Sequence, residues 1–148
     1  MKRLSLLIIV VLIGTIAFTG CKKEQGCTDA DATNYSTIAE EDDGTCTYTG
    51  SVVFWYDATT SANLITDGAT SLTIEVDGSV VGSYATSVYF TSAPDCETAS
   101  IVKAEKDLGL VKTKDYTYSI KDDTGHEYFS GSVTFDATNS CLALELTL

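Results

Sequence analysis

Hydrophobic and polar positions alternate with period two along most of the chain from residue 47 onward, which predicts strands with one face toward a core. Val52, Phe54 and Tyr56 interleave with Val53 and Trp55, so both faces of this stretch are apolar and it reads as a central strand. Leu72, Ile74 and Val76 alternate with Thr73 and Glu75, and Asp77-Gly78 then reads as a hairpin turn, because glycine takes positive φ without a Cβ clash. Val80, Val81, Tyr84, Val88, Tyr89 and Phe90 predict one or two further strands, and Ile101-Val102 sits in another. Tyr116, Tyr118 and Ile120 share a face opposite Thr117, Ser119 and Lys121. Asp122-Asp123-Thr124-Gly125 turns the chain, and Tyr128 to Phe135 runs back with Phe129, Val133 and Phe135 on one side. Leu142, Leu144, Leu146 and Leu148 form the last strand, with Ala143, Glu145 and Thr147 facing away.

This pattern predicts an all-β domain over residues 47–148, a seven- to eight-stranded antiparallel β-sandwich with hairpin or Greek-key connections. No stretch carries a 3.6-residue stripe, which argues against a helical or α/β fold. The segment Asp107 to Asp115 reads equally as loop, strand or a short helical turn. Composition agrees: apolar residues make up 44 %, with eight Tyr, five Phe and a single proline, Pro94, a balance that favours strands.

The first twenty residues follow another rule. Lys2 and Arg3 precede an apolar run from Leu4 to Phe18, broken by Ser5, Gly14 and Thr15. The run is shorter than the ~20 residues a helix needs to cross a bilayer. Basic start, short apolar run and small residues before a cysteine make a secretory signal. Its end, Phe18-Thr19-Gly20-Cys21, resembles the lipobox of bacterial lipoproteins, with Phe18 where Leu is usual. The resemblance implies cleavage after Gly20, a diacylglyceryl thioether on Cys21 and acylation of the new amino terminus, palmitate included. Two or more acyl chains, at ~0.8 kcal/mol per buried methylene, hold a protein on a membrane. Residues 21–26 then read as a lipidated polar tether. Lys22 follows the cysteine where Asp would mark the inner membrane, which points to the outer membrane, at the cell surface or periplasmic face.

Removing residues 1–20 takes away Lys2 and Arg3, leaving 7 cationic against 21 acidic side chains and moving the formal charge from −12 to −14. Such a field repels phosphates and argues against a nucleic-acid partner. Of the five cysteines, lipidation uses one and leaves Cys27, Cys46, Cys96 and Cys141. Four cysteines in an exported chain allow three disulfide pairings. Cys27–Cys46 with Cys96–Cys141 is favoured, since each bridge then closes a self-contained segment. The chain-entropy account assigns about 3 and 4 kcal/mol to them. A zinc site is the poorer reading, because no CxxC is present and the lone histidine, His126, is far from any paired spacing.

Residues 27–46 carry six carboxylates and no Lys or Arg. Asp29, Asp31, Thr33, the Tyr35 carbonyl, Thr37 and Glu40 fall at the ligand positions of a calcium loop. Asn34 replaces the expected glycine and flanking helices are missing, so a solvated acidic face is the rival reading. Asp42 and Asp43 offer a second, weaker cation site. The segment resembles a small cysteine-bounded module of Bacteroidota surface proteins through Cys27-Thr28-Asp29, Asn34-Tyr35 and Asp42-Asp43-Gly44-Thr45-Cys46. Residues 47–148 likewise look like a β-module of Bacteroidota lipoproteins, and the hairpin is similar to PEGA-type surface domains. The matching residues are Phe54-Trp55, Val76-Asp77-Gly78, Val81-Gly82, Ser92-Ala93-Pro94-Asp95-Cys96 and Cys141. These resemblances imply an exported all-β module and carry over no catalytic residue.

No nucleophile–histidine motif, phosphate loop or dinucleotide fingerprint is present. Paired carboxylates for glycoside hydrolysis stay open, since strands can bring distant acids together. Trp55 with Tyr56, or Tyr84 with Tyr89, would suit stacking on a sugar, although strand aromatics more often fill a core. The expectation is a non-enzymatic, lipid-anchored extracytoplasmic module with a structural or protein-interaction role, its partner a surface protein or glycan. The alternative is a binder of a glycan or Ca²⁺.

Overall fold

The computed structural model describes residues 22–139 and 141–148. The signal segment, residues 1–20, and Cys21 lie outside the described residues. A three-stranded sheet faces a four-stranded sheet across one core, and a two-residue ladder precedes them. The ladder joins β1 (Gln25–Gly26) to β2 (Glu41–Asp42). The smaller sheet has the order β6–β3–β9, from β3 (Tyr48–Trp55), β6 (Lys103–Gly109) and β9 (Leu142–Glu145). The larger has the order β5–β4–β7–β8, from β4 (Ser71–Val76), β5 (Ser79–Ala85), β7 (Thr113–Asp122) and β8 (Glu127–Asp136).

Strand β3 is central, as its two apolar faces require: Val52, Val53, Phe54, Trp55 and Tyr56 are all buried. Across the core, Leu72, Ile74 and Val76 of β4, Ile120 of β7 and Val133 and Phe135 of β8 are buried too. Each such side chain contributes roughly 1.5–3 kcal/mol relative to exposure. The aromatics interlock, with Phe54 against Tyr118 at 5.2 Å, Tyr116 edge-on to Phe135 at 5.3 Å and Tyr84 stacked on Tyr56 at 5.7 Å. Asp77 and Gly78 form the β4–β5 turn with φ of 55° and 70°, the doubly positive geometry that matches strand twist in a two-residue hairpin.

The strands depart from the expected pattern in four places, the first being that β9 ends at Glu145, short of Leu146 and Leu148. β9 runs parallel to β3, because the chain crosses between sheets after β8 instead of turning back beside its neighbour. Val88, Tyr89 and Phe90 are in no strand, and Phe90 instead donates its N–H to the Tyr56 carbonyl at 3.0 Å. Ile101-Val102 precedes β6. The ambiguous segment Asp107 to Asp115 is the end of β6, a crossing between sheets and the start of β7.

Among the described residues one helix, α1 (Ala58–Thr66), lies between β3 and β4. Its capping signals are ordinary. Asp57 accepts the Thr60 N–H at 2.8 Å, and Gly68 at φ 96° ends it, with Ala69 N–H reaching back to the Leu64 carbonyl. Its apolar stripe is missing because the buried side carries Thr60 and Ser61 beside Leu64. Ser61 Oγ donates to the Thr86 carbonyl at 2.7 Å, so a hydrogen bond replaces apolar contact there.

Cys27 is bridged to Cys46, and Cys96 to Cys141. The first bridge closes the acidic segment, and the second ties the loop after β5 to the entry of β9.

The sheets approach closely at Gly50, where an added Cβ would lie 3.0 Å from both the Asp136 nitrogen and Phe135 Cβ. Those neighbours are backbone and core, so they yield only at a cost. Gly50→Ala is expected to lower stability by about 1–3 kcal/mol. Gly78→Ala, with open space but positive φ, should cost about 1 kcal/mol. Denaturant unfolding with disulfides intact measures both, and a Gly50→Ala protein as stable as the parent would contradict the close approach.

Candidate functional site

Two surfaces carry organised polar chemistry: the acidic segment and the outer face of the larger sheet. In the acidic segment the backbone is held by the protein's own groups. Asn34 bridges to the far side of the loop, donating to the Thr45 carbonyl at 2.8 Å and accepting the Thr47 N–H at 2.9 Å. Asp42 and Asp43 accept the N–H groups of Gly44 and Thr45. Cys27, Ala32 and Cys46 are buried in the same core as the sandwich, so the segment is packed onto the domain. Gln25 and Gly26, expected to be tether, are the first strand.

The decisive contact comes from Lys112, in the crossing between β6 and β7. Its Nζ lies 2.7 Å from Asp29 Oδ2 and 2.8 Å from Asp31 Oδ2, and the Tyr48 hydroxyl donates to Asp29 Oδ2 at 2.8 Å. Hydrogen bonds from Lys112 and Tyr48 hold the Asp29 carboxyl at about 2, against an ordinary 3.8. The Lys112 ammonium is pushed up by the bonds to Asp29 and Asp31, and the Tyr48 phenol by its bond to Asp29.

Of the positions nominated for calcium, Asp29 and Asp31 are brought together, but around an ammonium that a divalent cation would have to displace. The Thr33 hydroxyl is turned to the Thr47 carbonyl at 3.0 Å, and Tyr35, Thr37 and Glu40 are exposed. Among the described residues no three His, Cys, Asp or Glu side chains are grouped to hold a metal ion.

On the outer face of the larger sheet, Glu75, Thr117, Ser119, Glu127, Ser130 and Gly131 line a shallow groove of about 380 Å³. Strand alternation puts these hydroxyls and carboxylates on the side away from the core. Ser119 Oγ donates to Glu127 Oε2 at 2.6 Å, and Lys121 Nζ to Glu75 Oε2 at 2.9 Å. Hydrogen bonds from Ser119 and Ser130 lower the Glu127 carboxyl from its ordinary value. The groove ends at β8, which pairs only with β7. Among the described residues no backbone hydrogen bond reaches its other edge between Tyr128 and Thr134.

The aromatic pairs suggested for sugar stacking are spent in the core. Trp55 and Tyr56 are buried, and Tyr84 is half-buried on Tyr56 with its hydroxyl donating to the Phe54 carbonyl at 3.3 Å. Burial pushes the Tyr56 and Tyr84 phenols up. Only Tyr89 of the four is exposed. His126 lies in the β7–β8 turn with its ring edge-on to Tyr128 at 4.8 Å and its backbone N–H donated to Asp122 Oδ1. Sequence reasoning missed Lys112, because its partners stand some eighty residues earlier in the chain. Two lysines, Lys112 and Lys114, in an unassigned segment of an acidic protein were the available signal.

No protein-family model, curated protein or solved structure matches the chain.

The Asp29 carboxyl is depressed in the folded protein, so its contribution is fully present above pH 3.8 and is lost as pH falls through about 2. Asp29→Asn should lower Tm by a few degrees at pH 6 and flatten the fall of Tm between pH 4 and pH 2. Lys112→Met should do the same. Thermal unfolding across that range reads both, and an acid limb unchanged in either variant would refute the role given to this cluster.

Proposed function

We propose that the protein is a lipid-anchored extracytoplasmic module, held to the outer membrane through Cys21, with a structural or protein-interaction role and no catalysis of its own. The observation that carries this reading is the use of cysteine. Four of the five are spent in two disulfides, which suits an oxidising compartment. The fifth is Cys21, the residue that ends the lipobox-like Phe18-Thr19-Gly20-Cys21. Ordered structure that begins at Gln25, four residues after Cys21, suits a domain carried close to a membrane. The likeness to Bacteroidota surface modules supports the same compartment.

The non-catalytic part rests on how the polar groups are used. On these surfaces Asp29, Asp31, Asp42, Glu75 and Glu127 are engaged by Lys112, Lys121, Ser119 and backbone N–H groups. His126 packs on Tyr128 at the tip of a turn.

Cells grown with an alkyne-tagged fatty acid test the anchor. The parent protein should take up label and partition with membranes, and its mature mass should show acyl chains on a fragment starting at Cys21. Cys21→Ser should lose the label and leave the precursor unprocessed. An unlabelled parent protein would refute the anchor.

A further inference from the structure

We propose that the free edge of β8 takes up an extended, lysine- or arginine-bearing peptide strand from a protein partner. The proposal deepens the interaction reading above, and it rests on that reading for its premise that the module meets another protein.

An open sheet edge presents unpaired N–H and C=O groups to any extended chain, and natural proteins blunt such edges with charge, proline, bulges or shortness. Three of the four sandwich edges here are blunted. β6 carries Lys103, Glu105, Lys106 and Asp107. β9 has 4 residues. β5 is broken by a register shift opposite Ile74 and Glu75. β8 differs. Its register shift lies near the start, and from Phe129 to Asp136 it pairs regularly with β7, with no Lys, Arg or Pro in its sequence. Phe135 and Asp136 abut Gly50, which leaves Tyr128 to Thr134 open.

Charge selects the occupant. Two copies of β8 paired antiparallel about Gly131 and Ser132 would set Glu127 of one copy opposite Asp136 of the other, an unfavourable like-charge pair. The formal charge of −12 for the whole chain opposes self-association further. A cationic strand meets the opposite field. Glu75, Asp115 and Glu127 lie on the outer face beside or across the groove, and Lys121 there is already bound to Glu75. Added to β8, such a strand would alternate. Its basic side chains would lie over the face of Ser130, Ser132 and Thr134. Its apolar ones would lie on the side of Phe129 and Val133.

The test uses the mature protein in detergent and residue-resolved amide hydrogen exchange. The probe is a peptide of about eight residues alternating lysine and valine. Comparison peptides alternate glutamate with valine, or carry N-methyl groups on alternate amides of the lysine peptide. The lysine peptide should slow exchange by about tenfold at alternating amides between Tyr128 and Thr134. The glutamate and N-methylated peptides should leave those amides unchanged. Ser132→Lys, an exposed change, should abolish the protection with Tm unaltered.

Equal protection by the N-methylated peptide would overturn strand addition, and no protection by the lysine peptide would overturn the proposal. Protection without peptide that grows with protein concentration would assign the edge to a second copy and overturn it also. The mass of the same sample reports acylation of Cys21, so failure of the anchor is scored separately.

Discussion

Five consecutive buried side chains, four on β3 and a fifth on the residue that follows it, constrain this molecule more than any other feature. Val52 to Tyr56 alternate between two faces, and neither face meets water. Such a strand is satisfied only inside a layered structure, with neighbours on both edges and cover on both sides. β6 and β9 supply the edges. The aromatic residues of the larger sheet supply one cover, through the Phe54–Tyr118 and Tyr56–Tyr84 contacts. Gly50 follows from the same demand, because the sheets can close at that corner only where a side chain is missing.

The acidic segment shows how a sequence with few apolar residues becomes part of a fold. The Cys27–Cys46 bridge shortens its unfolded ensemble. Its position is then set by polar contacts with the sandwich, chiefly Lys112 and Tyr48 on Asp29. The carboxylates that resemble a cation site by spacing are neutralised by a cation of the protein itself. A domain boundary at residue 46 is therefore only a change of composition, since both sides share one core.

The organised polar groups of this small sandwich lie on its surfaces. The core consumes the aromatics that could have met a sugar, and the hydroxyl and carboxylate groups of the larger sheet form an open, shallow groove. What distinguishes that surface is its border, a regular strand edge lacking the charges that guard β6. The proposed tether at Cys21 and the proposed strand addition are linked, because confinement to one surface raises effective concentration and lets weak contacts suffice.

Local chemistry was legible wherever one segment contains its own explanation. The period-two runs of β3, β4, β7 and β8, the Asp77-Gly78 turn and the favoured cysteine pairing all belong to this class, because alternation, positive φ and loop closure act over short stretches. Helix α1 lay between the two cases. Its Asp57 and Gly68 caps are local and went unread, and its buried Thr60 and Ser61 concealed the stripe, since Ser61 is satisfied by a carbonyl twenty-five residues away. The parallel pairing of β9 with β3, the capture of Asp29 and Asp31 by Lys112, and the exposure of the β8 edge were decided by tertiary structure alone. Each depends on which distant segments share a neighbourhood, and side-chain periodicity along one strand holds no record of that.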